Sequence, residues 1–115
     1  MNSLRNKVQL IGNLGANPVV TLLQSGKKVA KASIATQDYY KDKSGEKQSA
    51  TQWHNLVAWG HAAKILENYT EKGQQIAIEG KLNHRSYDDK QGVTRYITEI
   101  IVSDVQLLAK RIPKN

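Results

Sequence analysis

Short runs of strand-type residues, separated by turn residues, occupy almost the whole chain. Runs that are β-branched or alternate between apolar and polar residues, bounded by glycine, proline or asparagine, are typical of strands. The predicted strands are residues 7–13, 19–23, 28–40, 51–59, 75–84 and 94–108. A polar, charged loop is predicted over residues 41–50 and a hairpin loop over residues 88–92. The pattern therefore predicts an all-β protein.

One segment, between Gly60 and Gly73, departs from this pattern. Apolar residues recur there at spacings of three and four, the stripe of a short amphipathic helix: Ala62, Ile65, Leu66 and Tyr69. Gly73 is expected to cap the helix, and Lys72 to lie at the negative end of its dipole. Apart from the short run 19–23, the order is three strands, one helix and two strands. This order predicts an OB-fold, a five-stranded, partly open Greek-key barrel with one short helix between strands 3 and 4.

The length of 115 residues indicates one domain with a modest core, predicted over residues 1–109 and followed by a short basic extension, 110–115. The absence of cysteine excludes a disulfide framework and a thiolate metal site. No run approaches the roughly 20 apolar residues of a membrane helix, and the N-terminal apolar stretch is too short for a secretory signal. We therefore expect a cytoplasmic protein that does not contact membranes.

The charge and the aromatic residues together favour a nucleic-acid partner. A net charge of +7 favours a polyanion, because Lys and Arg displace counterions from phosphates. Charge alone is explained equally well by a solvated basic face, with an anionic membrane as the next candidate. The chain has five Tyr, two Trp and no Phe, and most of these rings stand beside cations or amides. Exposed rings in a basic groove can hold unpaired bases by stacking.

Side chains alternate across a strand, so phase predicts which rings share a face. Trp53, Asn55 and Trp59 fall on one face of their strand, and this phase places Asn55 in the predicted binding site. Tyr87 falls in phase with Arg85 on the polar face of the next long strand. A single aromatic residue in a strand is more often core than a stacking platform, and Trp59 is the ring that best fits the core.

The remaining tyrosines are divided by the same reasoning. Phase makes Tyr39 outward and Tyr40 inward, unless a bulge reverses the phase before the charged loop. Tyr69 and Tyr96 are assigned to packing. The residues alone leave open whether Tyr39 or Tyr40 is the exposed ring.

No enzyme or metal site is predicted. The three histidines, His54, His61 and His84, lack the spacing of metal ligands and have no neighbouring carboxylate partner. The chain contains no phosphate-binding loop, nucleophile elbow or zinc-protease motif. We therefore expect a binding protein with no cofactor.

Five segments resemble the bacterial single-stranded DNA-binding protein family. In order along the chain they are NKVQLIGNLG (6–15), TQWHNLVAWG (51–60), EKG (71–73), IEGKL (78–82) and RYITEI (95–100). The resemblance covers about residues 6–107. It implies an OB-fold protomer that assembles as a homotetramer and binds single-stranded DNA during replication, recombination and repair.

The resemblance also implies site residues. The stacking aromatics of the family fall on Tyr40, Trp53, Trp59 and Tyr87, and its phosphate-binding cations match Lys7, Lys43, Lys72 and Arg85. The resemblance therefore favours Tyr40 over Tyr39, which requires the bulge. His54 is similar to a family position associated with subunit contacts.

Two departures from the family are visible. Tyr40 and Tyr87 stand where familiar members have Trp, which offers more stacking surface. No acidic residue follows Asp104, whereas the family usually ends in an acidic tail that recruits replication and repair proteins. Either this is a natural short form or the sequence is cut at the core, so recruitment through such a tail is not carried over to this chain. Two alternatives remain open: a primosome-type dimeric OB adaptor that binds single strands, and an OB module of a protein-interaction or anticodon-type assembly.

Overall fold

The computed structural model describes residues 4–108, which form six strands and one helix. The elements are β1 (Val8–Leu14), β2 (Val19–Leu22), β3 (Lys28–Lys41), β4 (Lys47–Trp59), α1 (Gly60–Tyr69), β5 (Gln75–Asp88) and β6 (Thr94–Leu107). Within this described part, no helix combines the length and the apolar character needed to cross a membrane. The final segment, 109–115, lies outside the described residues, so the predicted basic extension is not part of this description.

Five of the strands close into a barrel. They follow one another in the order β1-β5-β6-β4-β3, and β1 pairs with β3 at Asn13 and Leu14 to complete the circle. The β4–β6 pairing is parallel and the other pairings are antiparallel, while β2 extends the sheet along β3. The helix α1 lies in sequence between the third and fourth barrel strands. The predicted OB architecture is therefore confirmed.

Alternate residues of the strands fill the barrel interior. Ile34 of β3, Leu56 of β4 and Ile76 of β5 are completely or almost completely buried, as the strand phases predict. Leu66 of α1 is also completely buried, and the helix packs against β3, β4 and β6. The helix thereby extends the core at one end of the barrel, and the opposite faces of the strands remain available for a ligand.

The β3–β4 hairpin is longer than the sequence pattern indicates. The predicted loop over residues 41–50 is wrong, because the two strands stay paired as far as Lys41 and Lys47. Only residues 42–46 form the turn, where the Asp42 carboxylate accepts hydrogen bonds from two backbone N–H groups. Charged residues can occupy these strand positions because both faces of this end of the hairpin are exposed.

The helix ends earlier than predicted. It stops at Tyr69, and Thr70 at its C-terminus has an extended backbone rather than a left-handed one. The predicted cap at Gly73 and dipole interaction of Lys72 are therefore wrong. Gly73 has a φ of 86° in the turn between α1 and β5, where its N–H donates to the carbonyl oxygen of Leu14 at 2.8 Å.

Candidate nucleic-acid interface

Three aromatic rings lie on the outer face of the β3–β4 pair. Directly paired residues in antiparallel strands share a face, and Trp53 pairs with Ala35 while Trp59 pairs with Val29. Tyr39 is in phase with these positions. Trp53 is 62% exposed, Tyr39 76% and Trp59 44%, so none of the three is a core residue. The expectation that Trp53 and Trp59 share an accessible face is confirmed, and the alternative of a core Trp59 is wrong.

Trp53 lies directly against the backbone at Gly15. A Cβ added to Gly15 would come within 2.5 Å of Cζ3 of Trp53 and within 3.3 Å of Oγ of Ser33. The N–H of Gly15 donates to the carbonyl oxygen of Ser33 at 3.0 Å, which fixes this backbone to β3. The indole is thus supported on one side and open to solvent elsewhere. A supported, exposed ring is what base stacking requires.

The position of Tyr40 differs from the expectation. The β3–β4 register is continuous from Val29 opposite Trp59 to Lys41 opposite Lys47, so the predicted bulge is wrong. Tyr40 therefore lies on the opposite face of the hairpin from Trp53, although it is 54% exposed. Both tyrosines are exposed because this end of the hairpin extends past the barrel core.

Tyr87 lies on β5 beside Arg85, which is held in an ion pair. The guanidinium carbon of Arg85 is 5.8 Å from the centroid of the Tyr87 ring, within the range of a cation–π interaction. Nε of Arg85 donates to Oε1 of Glu99 at 2.8 Å, and a second guanidinium nitrogen donates to Oε2 at 3.3 Å. Glu99 is buried, whereas Tyr87 is 47% exposed. Arg85 thus connects a buried carboxylate to an accessible ring.

Glu99 joins the two aromatic regions into one surface. On β6 it lies next to Asn55 of β4 on one side and opposite Asn83 of β5 on the other. The outer face therefore runs continuously from Trp53 and Asn55 across β6 to Arg85 on β5. Sequence reasoning missed Glu99 as a site residue. The sequence clue to Glu99 is that a charged residue stands within the strand segment 95–100, directly before the buried Ile100.

The four predicted cations differ in their surroundings. Lys7 forms an ion pair with Glu79 at 3.3 Å, and Arg85 is held by Glu99. Lys43 lies in the β3–β4 turn and Lys72 in the α1–β5 turn, and both are exposed. Within residues 4–108, the ion pairs found do not involve Lys43 or Lys72. These two lysines can contact a phosphate without first breaking an ion pair.

The assignment of two tyrosines to packing is wrong. Tyr69, the last residue of α1, is 65% exposed, and Tyr96 on β6 is 84% exposed. Tyr96 pairs with Ser86 and so faces away from Tyr87 on the β5–β6 hairpin. Both rings lie at the end of an element, beyond the residues that cover the core.

His54 follows the inward phase of β4 and is half-buried. Its Nε2 is 2.9 Å from Oγ1 of Thr36 on β3. Across the described part of the chain, no group of three or more His, Asp or Glu side chains is arranged to hold a metal ion.

Comparison with known proteins supplies the family. The sequence profile of the single-strand binding protein family matches residues 5–108. The chain belongs to this family. Proteins of this family bind DNA and are not enzymes, which confirms the prediction of a non-enzymatic binding protein.

Curated relatives and solved structures agree with the family match. The chain is 44% identical to single-stranded DNA-binding protein 1 of Xylella fastidiosa, over 96% of this chain and 82% of the relative. It is 46% identical to single-stranded DNA-binding protein 1 of Chlorobaculum tepidum, over 92% of this chain and 66% of the relative. A Plasmodium falciparum single-stranded DNA-binding protein, solved with single-stranded DNA, superposes with a TM-score of 0.84 at 33% identity and covers 95% of this chain and 100% of that one.

A second solved structure matches this chain over part of a longer one. A deletion mutant of the single-stranded DNA-binding protein of Thermus aquaticus superposes with a TM-score of 0.78 at 29% identity. The similarity covers 92% of this chain but 51% of that chain. The region shared with this family member is therefore the OB barrel.

The ion pair in the centre of the surface makes stability depend on pH. Hydrogen bonding by Arg85 lowers the pKa of Glu99, and this effect exceeds that of burial, which raises it. In the unfolded chain a glutamate has a pKa of about 4.3. Because the pKa of Glu99 is lower in the folded state, its ionised carboxylate stabilises the fold at pH values above the unfolded-state pKa. This contribution to stability is lost as the pH falls through the folded-state pKa.

We therefore expect acid to reduce the stability difference between the parent protein and Glu99→Gln. Urea unfolding at pH 7 should show the variant to be less stable, because a neutral amide cannot form an ion pair with Arg85. Between pH 5 and pH 3 the two midpoints should converge. Other carboxylates with lowered pKa values, such as Asp42 and Asp89, are present in both proteins and cancel in the comparison. A difference that is constant over this range would contradict the assignment.

Proposed function

We propose that this protein binds single-stranded DNA without sequence preference and keeps unpaired strands accessible during replication, recombination and repair. The observation that supports this most directly is the Trp53 ring, seated on Gly15 and exposed on the outer face of an OB barrel. Base stacking on such a ring is tolerant of sequence, because every base has a π-face. The site of action is then the nucleoid in the cytoplasm.

The path of the DNA strand over the protein follows from the positions of the aromatic rings. Bases of the DNA strand stack on Trp53, Trp59 and Tyr87. Tyr40 contacts the DNA from the opposite face of the β3–β4 hairpin. Asn55 lies between the aromatic groups and can hydrogen-bond to a base edge or a sugar. The outer-face geometry also adds Tyr39, which shares the face of Trp53.

The phosphates are held by cations around this path. Lys43 and Lys72 take part in none of the ion pairs found within residues 4–108, so their charges are available to phosphates. Lys7 and Arg85 each weaken an existing ion pair, with Glu79 and Glu99 respectively, when they contact a phosphate. Arg85 also orients Tyr87 through the cation–π contact. Taken alone, these four contacts predict a slope of about −3 for log affinity against log salt concentration on single strands.

We further propose a homotetramer. One edge of β1 pairs with β5 over residues 8–13, whereas its other edge pairs with β3 only at Asn13 and Leu14. Among the described residues, this second edge therefore has no strand partner over residues 8–12. Ile11 on this strand is 57% exposed. An open edge with an exposed apolar residue favours strand pairing between copies. The half-buried His54 on β4 is a second proposed subunit-contact residue.

A titration with oligothymidine over a salt series tests the proposed binding. Between 50 and 200 mM salt, affinity should fall about sixty-fold, as a slope of about −3 requires. A duplex of equal length should bind more weakly at every salt concentration, because its bases cannot reach the rings. Affinity that is independent of salt, or stronger for the duplex, would disprove the proposal.

Light scattering on the free protein tests the assembly separately. A mass of four subunits supports the homotetramer. A mass of two subunits, together with intact single-strand binding, would instead support the primosome-type dimeric adaptor.

A further inference from the structure

A basic groove with an aromatic wall lies beside Trp59, at the far end of β4 from Trp53. The groove has a volume of about 640 Å³ and is open to solvent. Its lining residues are Gly26, Lys27, Lys28, Trp59, Gly60 and Lys64. No acidic residue is among them. None of these three lysines is among the site residues predicted from the sequence.

Three elements bring the lysines together. Lys27 lies in the β2–β3 turn, which is fixed by the N–H of Leu23 donating to the carbonyl oxygen of Lys27 at 2.8 Å. Lys28 begins β3, and Lys64 lies in the second turn of α1. Trp59 ends β4 directly before the helix. The groove therefore exists only because the barrel places the β2–β3 turn next to the start of α1.

The lysines of the groove are not equivalent. Nζ of Lys28 is 2.9 Å from Oε1 of Glu67, and this pair joins β3 to α1. Lys27 and Lys64 are exposed, and none of the ion pairs found within residues 4–108 includes them. Two available cations thus flank a ring that is 44% exposed. A cation beside a flat ring fits a phosphate and its base at the same time.

We propose that this groove is a nucleotide subsite, in which a base of the single strand stacks on Trp59 while Lys27 and Lys64 hold the adjoining phosphates. The proposal rests on the proposed function and extends it by assigning these two lysines. The volume lies within the roughly 300–1,000 Å³ of small-ligand sites, which suffices for a nucleotide unit. The six residues from Trp53 to Trp59 span about 20 Å along β4, so this subsite binds a different nucleotide from the one on Trp53.

A protein with a single tryptophan isolates the groove. Trp53→Phe retains a stacking ring and leaves Trp59 as the only indole, so fluorescence reports the groove alone. Oligothymidine should quench this signal. In the same background, Lys27→Ala with Lys64→Ala should reduce the quenching and make the salt slope less negative by about 1.4, or 0.7 for each lost phosphate contact. The matched control is Lys90→Glu, which lowers the net charge by the same two units in the β5–β6 turn, outside the groove.

The outcomes separate this proposal from the proposed function. If the parent protein binds oligothymidine but the Lys27/Lys64 variant keeps its slope and quenching, the subsite is disproved and single-strand binding stands. An equal change in slope for the Lys90→Glu control would also overturn the subsite, because the effect would then come from net charge. Quenching of Trp59 by an oligoglutamate peptide but not by oligothymidine would assign the groove to an acidic protein segment instead. No binding of oligothymidine by the parent protein would disprove the proposed function itself.

Discussion

Replacing Trp53 with Ala should weaken the binding of single-stranded oligothymidine about 5- to 150-fold. The estimate follows from the 1–3 kcal/mol that a stacked base contributes, since about 1.4 kcal/mol corresponds to a tenfold change in affinity. The fold should survive, because the ring is 62% exposed. Fluorescence anisotropy with labelled oligothymidine at fixed salt measures the loss, and urea unfolding measures stability.

Two further variants make this result specific. Tyr69→Ala removes another exposed ring, at the end of α1, and should leave binding nearly unchanged. Gly15→Ala retains the Trp53 indole but forces it to move, because the new Cβ would overlap Cζ3. Its effect on affinity should therefore not add to that of Trp53→Ala in the double variant. Full additivity would show that Gly15 does not act through Trp53, and a Trp53→Ala protein that unfolds would show that the ring belongs to the core.

Replacing Leu66 with Ala should lower the free energy of unfolding by about 2–5 kcal/mol, the usual cost of removing a buried leucine side chain. Leu66 is completely buried where α1 packs on the barrel. This is a large share of the roughly 5–15 kcal/mol that stabilises a typical domain. Alanine is the better helix former of the two, so the loss must come from packing rather than from helix propensity.

Urea unfolding at one fixed protein concentration measures this effect, because association between subunits would otherwise change the apparent stability. Leu22→Ala is the matched control: the same substitution is made at a leucine that is 66% exposed on β2. Its cost should stay within about 0.5 kcal/mol. Equal costs for the two variants would mean that the helix is not part of the core.

The contrast between the two leucines shows what periodicity can and cannot predict. Spacings of three and four identify Leu66, because those positions face the barrel in any helix of this phase. The alternation in β5 predicts the buried Ile76 and the accessible Tyr87 in the same way. Local rules succeed wherever an element lies over the core, since burial there enforces the phase.

The same rules fail where elements extend past the core. They assign Tyr96 and Tyr69 to packing, yet no barrel interior lies beneath the hairpin tip or the end of the helix. The loop predicted over residues 41–50 is mostly strand for the same reason: cross-strand pairing, rather than burial, keeps those polar residues extended. Tyr40 needs no bulge to be exposed, because both faces of that hairpin end meet solvent.

The sequence by itself determined the all-β class, the order of the elements, the basic charge and the shared phase of Trp53 and Trp59, because these depend on neighbours along the chain. Only the tertiary structure decided that Gly15 supports Trp53, that Glu99 holds Arg85, and that Lys27 and Lys64 flank Trp59. The residues in these contacts lie between 5 and 38 positions apart. Closure of the barrel and packing of the helix bring them together, and no local pattern encodes that approach.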